Sequence, residues 1–183
     1  ALAPFSEDNV AAFTMARAYM ALKQYSDALP IFERLSKAYP DEPRPRAGGL
    51  EARLELDLSK GDEEGAIQRL SLGIAHAPAS FRESAEGKFM QGRLAELQHN
   101  HDAAVEAYAG ARELDPTHRA NLFRLAYCAE RTGQDELALE AYQTLTRLLP
   151  IDRNTLVNLG VLYEDMGRDQ DAAACFDIVA RSF

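Results

Sequence analysis

Two histidines stand two residues apart in the segment His99-Asn100-His101-Asp102, beside a carboxylate. Imidazole and carboxylate groups are common ligands of transition metals, so His99 and His101 form a weak candidate metal pair. The segment lies between two predicted helices, where polar residues are also typical of an ordinary turn. We therefore expect no bound metal and no cofactor.

No other residue pattern indicates catalysis. The sequence has no Gly-rich phosphate loop, no Gly-x-Ser-x-Gly nucleophile elbow and no Cys-x-x-Cys pair. The acidic run Asp62-Glu63-Glu64 is explained as the solvated start of a helix, where the helix dipole favours negative charge. The sequence predicts a protein that is not an enzyme.

The elements that would position these side chains recur along the chain. Five alanines follow one another at steps of 38, 38, 34 and 34 residues, and a large apolar residue follows each alanine four residues later. Prolines recur at the same steps, and the two longer steps each hold four extra residues between repeats, where insertions do least harm. The alanines are Ala28, Ala66, Ala104, Ala138 and Ala172; the large residues are Phe32, Leu70, Tyr108, Tyr142 and Phe176; the prolines are Pro40, Pro78, Pro116 and Pro150.

This spacing resembles the tetratricopeptide repeat, a helix–turn–helix unit of about 34 residues. The resemblance covers nearly the whole chain and implies an all-α fold, a right-handed α-solenoid of stacked antiparallel helix pairs. We expect an N-terminal lead-in over residues 1–8 and a single array over 9–183. Its five repeats are predicted at 9–42, 47–80, 85–118, 119–152 and 153–183, the last of them truncated.

Local signals give further expectations. Repeat four should hold helices at 121–131 and 135–148. Pro43-Arg44-Pro45-Arg46 is predicted to be an extended linker, because proline biases the preceding residue away from helix. Ser80, with Glu83 three residues on, matches a capping box that would start the first helix of repeat three one turn early. Cys128 and Cys175 are expected to be small packing residues, which favours a reducing compartment over a disulfide.

The resemblance implies that the first helix of each repeat lines a concave groove. Phe13, Phe89 and Phe123 take the same position in their repeats, with arginines nearby, and this is the composition of an interface hot spot. We expect the groove to bind a peptide or helix of a partner protein that has apolar anchors and some acidic character. The alternative is that these phenylalanines pack inside the helix interfaces. The predicted groove residues are Phe13, Arg17, Met20, Glu51, Glu55, Phe89, Met90, Arg93, Phe123, Arg124, Tyr127, Asn154 and Asn158.

Several partner classes are disfavoured. The chain has 20 basic and 29 acidic residues and a net charge of -9, which opposes binding to a phosphate backbone. No apolar run approaches the roughly 20 residues of a membrane helix. The family's clamp for chaperone C-terminal tails needs lysine, arginine and asparagine at positions that hold Phe13, Arg17, Ala52, Glu86 and Met90 here. We expect a cytoplasmic, bacterial protein.

Two readings of function remain open. The first is a non-catalytic protein–protein interaction scaffold. The alternative is a regulatory or targeting module of a larger bacterial protein. The run from Asn158 to Asp165 is similar to the final repeats of proteins in which such an array precedes a domain like the C-terminal domain of the RNA polymerase alpha subunit. Self-association through the C-terminal end is also expected, because no polar capping helix follows in the sequence.

Overall fold

Every regular element is a helix in the residues that the structure, a computed structural model, describes: 6–148, 150 and 152–182. The prediction of an all-α fold is confirmed. The eleven helices in these residues are α1 (Glu7–Ala21), α2 (Tyr25–Ala38), α3 (Pro43–Ser59), α4 (Glu63–Ala75), α5 (Ala79–Arg82), α6 (Ala85–Leu97), α7 (His101–Leu114), α8 (Arg119–Arg131), α9 (Asp135–Arg147), α10 (Arg153–Asp165) and α11 (Asp169–Ser182).

The chain divides into two compact units, Ala1–Gln98 and His99–Phe183, here called the N-terminal and C-terminal units. In the N-terminal unit, α1 packs on α2, α2 on α3 and α3 on α4, and α6 contacts α3, α4 and α5. In the C-terminal unit, each helix from α7 to α11 packs on the next one along the chain. The boundary between the units falls inside predicted repeat three, and the single five-repeat array stays a prediction.

The alanines at the predicted helix crossings are buried in every repeat. All five have at most 2% of their surface exposed, and four of the five large residues that follow them have at most 3% exposed. The close approach of neighbouring helices depends on small residues at other positions too. A Cβ at Gly160 on α10 would lie 2.6 Å from the ring of Phe176 on α11. This burial explains why the alternation of small and large residues recurs in the sequence.

The turns between paired helices repeat as well. Each contains one residue in the left-handed region, namely Lys23, Gly61, His99, Gly133 and Gly167, at φ between 57° and 76°. In four of these turns a backbone amide donates a hydrogen bond to the carbonyl five residues earlier. The amide of Gln134, for example, donates to the carbonyl of Ala129 at 2.9 Å. This pattern closes a helix by satisfying one of its last carbonyl groups.

The segment Pro43-Arg44-Pro45-Arg46 is helical, so the prediction of an extended linker is wrong. α3 begins at Pro43, and the Glu42 carboxylate caps it by accepting from the amide of Arg44 at 3.4 Å. The first turn of a helix leaves its amides without backbone partners, so proline loses nothing there. The restriction on residues before proline holds for Glu42, which is extended, and is overridden only at Arg44.

The expected early start of the helix in repeat three is also wrong. α5 is a separate helix of four residues with Pro78 at its N-cap, so Ser80 lies inside this helix and is not its capping residue. Ser84 caps α6 instead, where its Oγ accepts from the amide of Gly87 at 3.0 Å.

The ends of the predicted array are described only in part. Residues 1–5 of the lead-in lie outside the described residues, as does Phe183, while Glu7 and Asp8 belong to α1. Both cysteines are buried thiols, as expected of packing residues. Burial raises the pKa of the Cys175 thiol, which makes it less reactive.

Candidate functional site

The predicted groove residues of repeat one divide between core and surface. The ring of Phe13 packs edge-on against Phe32, with centroids 5.7 Å apart, and Met20 packs on the same cluster. Arg17 points from the same helix and is exposed. In this repeat the predicted groove residues therefore offer one exposed cation and part of one aromatic ring.

Arg93 joins two other predicted groove residues in an ionic cluster. Its guanidinium donates to Oε1 of Glu55 at 2.9 Å and lies 3.8 Å from Oε1 of Glu51. Only 5% of Arg93 is exposed, whereas both carboxylates are half-buried. A buried cation needs such partners, since leaving it unpaired would be strongly unfavourable. Sequence reasoning placed these three residues on one face, and the structure brings them together.

Tyr25 lies close enough to this cluster to respond to it. Partial burial raises the pKa of its phenol, and the nearby carboxylates of Glu55 and Glu51 raise it further. The tyrosine is the first residue of α2 and was not predicted to belong to the site. Its position in the turn gave no sequence signal that it would approach α3.

Two predicted groove residues on α6 lie in the core of the N-terminal unit. Phe89 is 5% exposed and Met90 is fully buried. They support the position of Arg93 on the same helix but present almost no surface to a ligand in this conformation. For Phe89, the structure matches the alternative in which the phenylalanine packs between helices.

Tyr142 is the centre of the site in the C-terminal unit. Its hydroxyl donates to Oε2 of Glu130 at 2.8 Å and accepts from Nδ2 of Asn158 at 3.2 Å. The ring of Phe123 meets that of Tyr142 edge-on, with centroids 6.1 Å apart. Two predicted groove residues, Phe123 on α8 and Asn158 on α10, thus converge on one side chain of α9.

The carboxyl and the phenol at this centre both have raised pKa values. Burial raises the pKa of the Glu130 carboxyl, and the charges of Asp165 and Asp135 act in the same direction. Burial also raises the pKa of Tyr142, together with the charge of Glu130. The phenol therefore stays protonated and acts as a donor to the carboxylate.

The other predicted residues of this unit form its accessible surface. Tyr127 is half-buried with the guanidinium of Arg131 over its ring, 4.9 Å from the centroid. Asn154 is exposed and Arg124 is half-buried. They add aromatic, amide and cationic groups to α8 and α10, the two helices that contact Tyr142, and such groups suit a polypeptide ligand.

Sequence reasoning missed Tyr142 and Glu130 as members of the site. Tyr142 was assigned to the core because it occupies the large apolar position that Phe32 and Phe176 take in other repeats. The available signal was its hydroxyl, since a buried tyrosine usually finds a hydrogen-bond partner. Glu130, at the last turn of the preceding helix, was the acceptor that such reasoning could have sought.

The candidate metal pair falls in a turn. His99 is the left-handed residue of the turn before α7, and His101 is the first residue of that helix. Within 6–148, 150 and 152–182, no three His, Cys, Asp or Glu side chains are grouped to hold a metal ion. In the same part of the chain, no helix is both long enough and apolar enough to cross a bilayer.

Comparison with protein families gives three matches. Models described as tetratricopeptide repeat match residues 1–54, 89–153 and 155–181. No curated protein matches the chain in sequence.

Solved structures of MamA are similar to this chain in fold. MamA AMB-1 has 17% identity and a TM-score of 0.63, with 92% of this chain and 95% of that chain covered. MamA MSR-1 has 18% identity and a TM-score of 0.61, with 96% of each covered. MamA from Desulfovibrio magneticus RS-1 has 14% identity and a TM-score of 0.61, with 96% and 94% covered. At these identities the likeness shows the fold alone.

Proposed function

Because the chain belongs to the tetratricopeptide repeat family, we propose that it is a non-catalytic scaffold that binds a peptide or helix of a partner protein. The binding surface is the face of the inner helices α8 and α10. The family and the fold support protein interaction in general, and the residues around Tyr142 support this particular face.

The observation that carries the proposal is the convergence of Phe123 and Asn158 on Tyr142. The contacts to Tyr142 hold both side chains in place, so they are ordered before any ligand arrives. Preorganised aromatic and amide groups lose little entropy on binding, which is how a small surface reaches useful affinity.

The chemistry of the surface defines the ligand. Tyr127 offers an aromatic ring for an apolar anchor, and the exposed amide of Asn154 suits the backbone of a peptide. The exposed guanidinium of Arg17 in the N-terminal unit supports some acidic character in the partner. Arg93 adds little to this attraction, because its guanidinium is already paired with Glu55.

The test is selection of peptides from a displayed random library on the immobilised chain, followed by measurement of their affinities in solution. The variant Tyr127→Ala/Asn154→Ala should bind the selected peptides at least about tenfold more weakly. The matched control is Leu114→Ala on α7, which removes a side chain of 55% exposure outside the inner helices. Peptides that bind all three proteins equally would show that the ligand lies elsewhere.

The alternative, a regulatory or targeting module of a larger bacterial protein, stays a prediction. Half of the run that suggested it is buried in α10, including Leu159, Leu162 and Tyr163. Packing therefore accounts for the similarity of these residues to other repeats. Binding of purified bacterial RNA polymerase to the immobilised chain would test the transcription-associated form of the alternative.

The expected self-association through the C-terminal end also stays a prediction. Ile178 on α11 is 46% exposed there. Single exposed apolar side chains are common on monomers, so this residue by itself does not define an interface.

A further inference from the structure

The first helix, α1, is apolar on both of its sides. Its inner side carries Phe13, Ala16 and Met20, which belong to or pack on the cluster around Phe32. Its outer side carries Ala11, Met15, Ala18 and Leu22, all exposed, with Met15 at 47% and Leu22 at 68%. Exposed Thr14 and Arg17 lie between the two sides on one flank of the helix, and Leu22 continues the outer side at the C-cap. An apolar side of a helix is normally covered. The four outer residues are here called the outer stripe.

The outer stripe has the geometry of a helix-packing surface. Its members are separated by four, three and four residues, so at about 100° per residue they fall within an arc of about 60°. From Ala11 to Leu22 the stripe extends about 16 Å along the helix axis. Small and large residues alternate in it, which leaves a shallow recess beside each large side chain.

We propose that the outer stripe binds the outer stripe of a second copy of this chain, with the two α1 helices antiparallel about a two-fold axis between Met15 and Ala18. In this arrangement Met15 of one copy meets Ala18 of the other, and Ala11 meets Leu22. Each large side chain faces an alanine, so the stripe is its own complement. A two-fold interface uses the same surface on both copies and therefore requires such self-complementarity.

The charges at the two ends of α1 match this arrangement. Asp8 in the first turn and Lys23 in the turn after the helix are both exposed. An antiparallel pair with its axis between Met15 and Ala18 brings the first turn of one copy, which holds Asp8, level with the turn of the other copy that holds Lys23. A parallel pair would instead place acid beside acid. The opposite charges therefore favour the antiparallel orientation.

The pairing is independent of the peptide surface proposed above, since it uses one helix of the N-terminal unit and no residue of α8 or α10. One helix pair buries less area than a permanent dimer, so the dimer is weak and reversible.

Sedimentation equilibrium of the full 183-residue chain from about 1 µM to about 1 mM tests the proposal in the range of weak interfaces. The expected result is a monomer–dimer equilibrium that Met15→Glu abolishes, because this change sets two charges in the contact. The matched control is Leu72→Glu on α4, a large apolar residue of 50% exposure outside the stripe, which should leave the equilibrium unchanged.

Charge exchange tests the orientation. Asp8→Lys or Lys23→Glu alone should weaken the dimer about tenfold, and the two together should restore it to within about threefold of the parent. Circular dichroism melts at low concentration show that each variant is folded. A monomer at all concentrations would overturn the proposal. So would a dimer that survives Met15→Glu, one that only Ile178→Glu removes, or one in which the two charge changes add instead of compensating.

Discussion

Glu130 and Tyr142 are joined by a hydrogen bond of 2.8 Å, in which a half-buried carboxylate accepts from a buried phenol. The bond connects α8 to α9, and the amide of Asn158 extends it to α10. One phenol thus links three helices of the C-terminal unit. Removal of the Tyr142 hydroxyl should therefore weaken the packing of these helices and also alter the face proposed to bind a peptide.

Replacement of Tyr142 by phenylalanine should lower the free energy of unfolding by about 1 to 3 kcal/mol at neutral pH, because it leaves a half-buried carboxylate without its donor. Urea denaturation followed by circular dichroism measures the change. Tyr127→Phe is the matched control and should lie within about 0.5 kcal/mol of the parent. Equal stability of Tyr142→Phe and the parent would mean that water replaces the hydroxyl at no cost.

The carboxyl of Glu130 should make stability depend on pH. Its pKa is raised in the folded chain, chiefly by burial, so the folded state holds this proton to a higher pH than the unfolded state does. As the pH rises from about 4.5, the ordinary value, through the raised pKa, the contribution of Glu130 to stability falls. Glu130→Gln removes this contribution, so the variant should gain stability relative to the parent as the pH rises.

Urea denaturation of the two proteins at a series of pH values between 4 and 8 measures this difference. Because the other acidic groups are common to both proteins, their titration cancels in the comparison. A difference that stays constant over the whole range would show that the Glu130 carboxyl has the same pKa in the folded and unfolded chains.

Arg93 should be among the most sensitive polar positions of the N-terminal unit. Arg93→Met removes the cation between Glu51 and Glu55 and leaves the two carboxylates near each other, so the free energy of unfolding should fall by about 3 kcal/mol. Glu51→Gln is the control. Its carboxylate is more exposed and lies farther from the guanidinium, so the cost should stay within about 1 kcal/mol. Similar thermal midpoints for the two variants would contradict the central role of Arg93.

Two adjacent glycines of α3 should respond in opposite directions to alanine. A Cβ at Gly49 would meet its nearest atom, in Phe32, at 3.6 Å, an ordinary contact, so Gly49→Ala should stabilise the helix by about 0.5 to 1 kcal/mol. A Cβ at Gly48 would lie 2.6 Å from the enclosed ring of Phe32. Gly48→Ala should therefore cost about 1 to 3 kcal/mol through overpacking.

The two variants serve as controls for each other, because they share the same helix and the same change in propensity. Chemical denaturation of both variants separates the effect of packing on the free energy of unfolding from the effect of helix propensity. If both stabilise the protein, Phe32 moves aside freely, which its nearly complete burial argues against.

The periodic part of the fold was predictable from the sequence because it is set by local geometry. Ala28, Ala66, Ala104, Ala138 and Ala172 lie where helices cross, and any larger residue there would separate the helices. The helices of repeat four were predicted at 121–131 and 135–148 and are observed at Arg119–Arg131 and Asp135–Arg147. Their ends follow from the turn glycine Gly133, whose left-handed φ of 70° stops the first helix.

The failures came where two local rules compete. At Arg44 the bias against helix before Pro45 lost to the advantage of proline in a first turn, whereas Glu42, before Pro43, is extended. At Ser80 a capping-box pattern lost to Ser84, which caps a different helix. The candidate site was predictable only in part, because the sequence shows which face a residue occupies but not which hydrogen bond its side chain makes. Tyr142 and Phe32 occupy equivalent positions, and only the hydroxyl distinguishes them.

The left-handed turn residues Lys23, Gly61, His99, Gly133 and Gly167 recur at the spacing of the crossing alanines, with steps of 38, 38, 34 and 34 residues. Backbone torsion and side-chain size thus keep the same spacing from each turn residue to the alanine that follows it. The four extra residues lie elsewhere in both long steps: Pro43 to Arg46 form the first turn of α3, and Phe81 to Ser84 run from α5 to the N-cap of α6. Changes of length during evolution or engineering therefore belong at the start of the first helix of a hairpin, away from its turn.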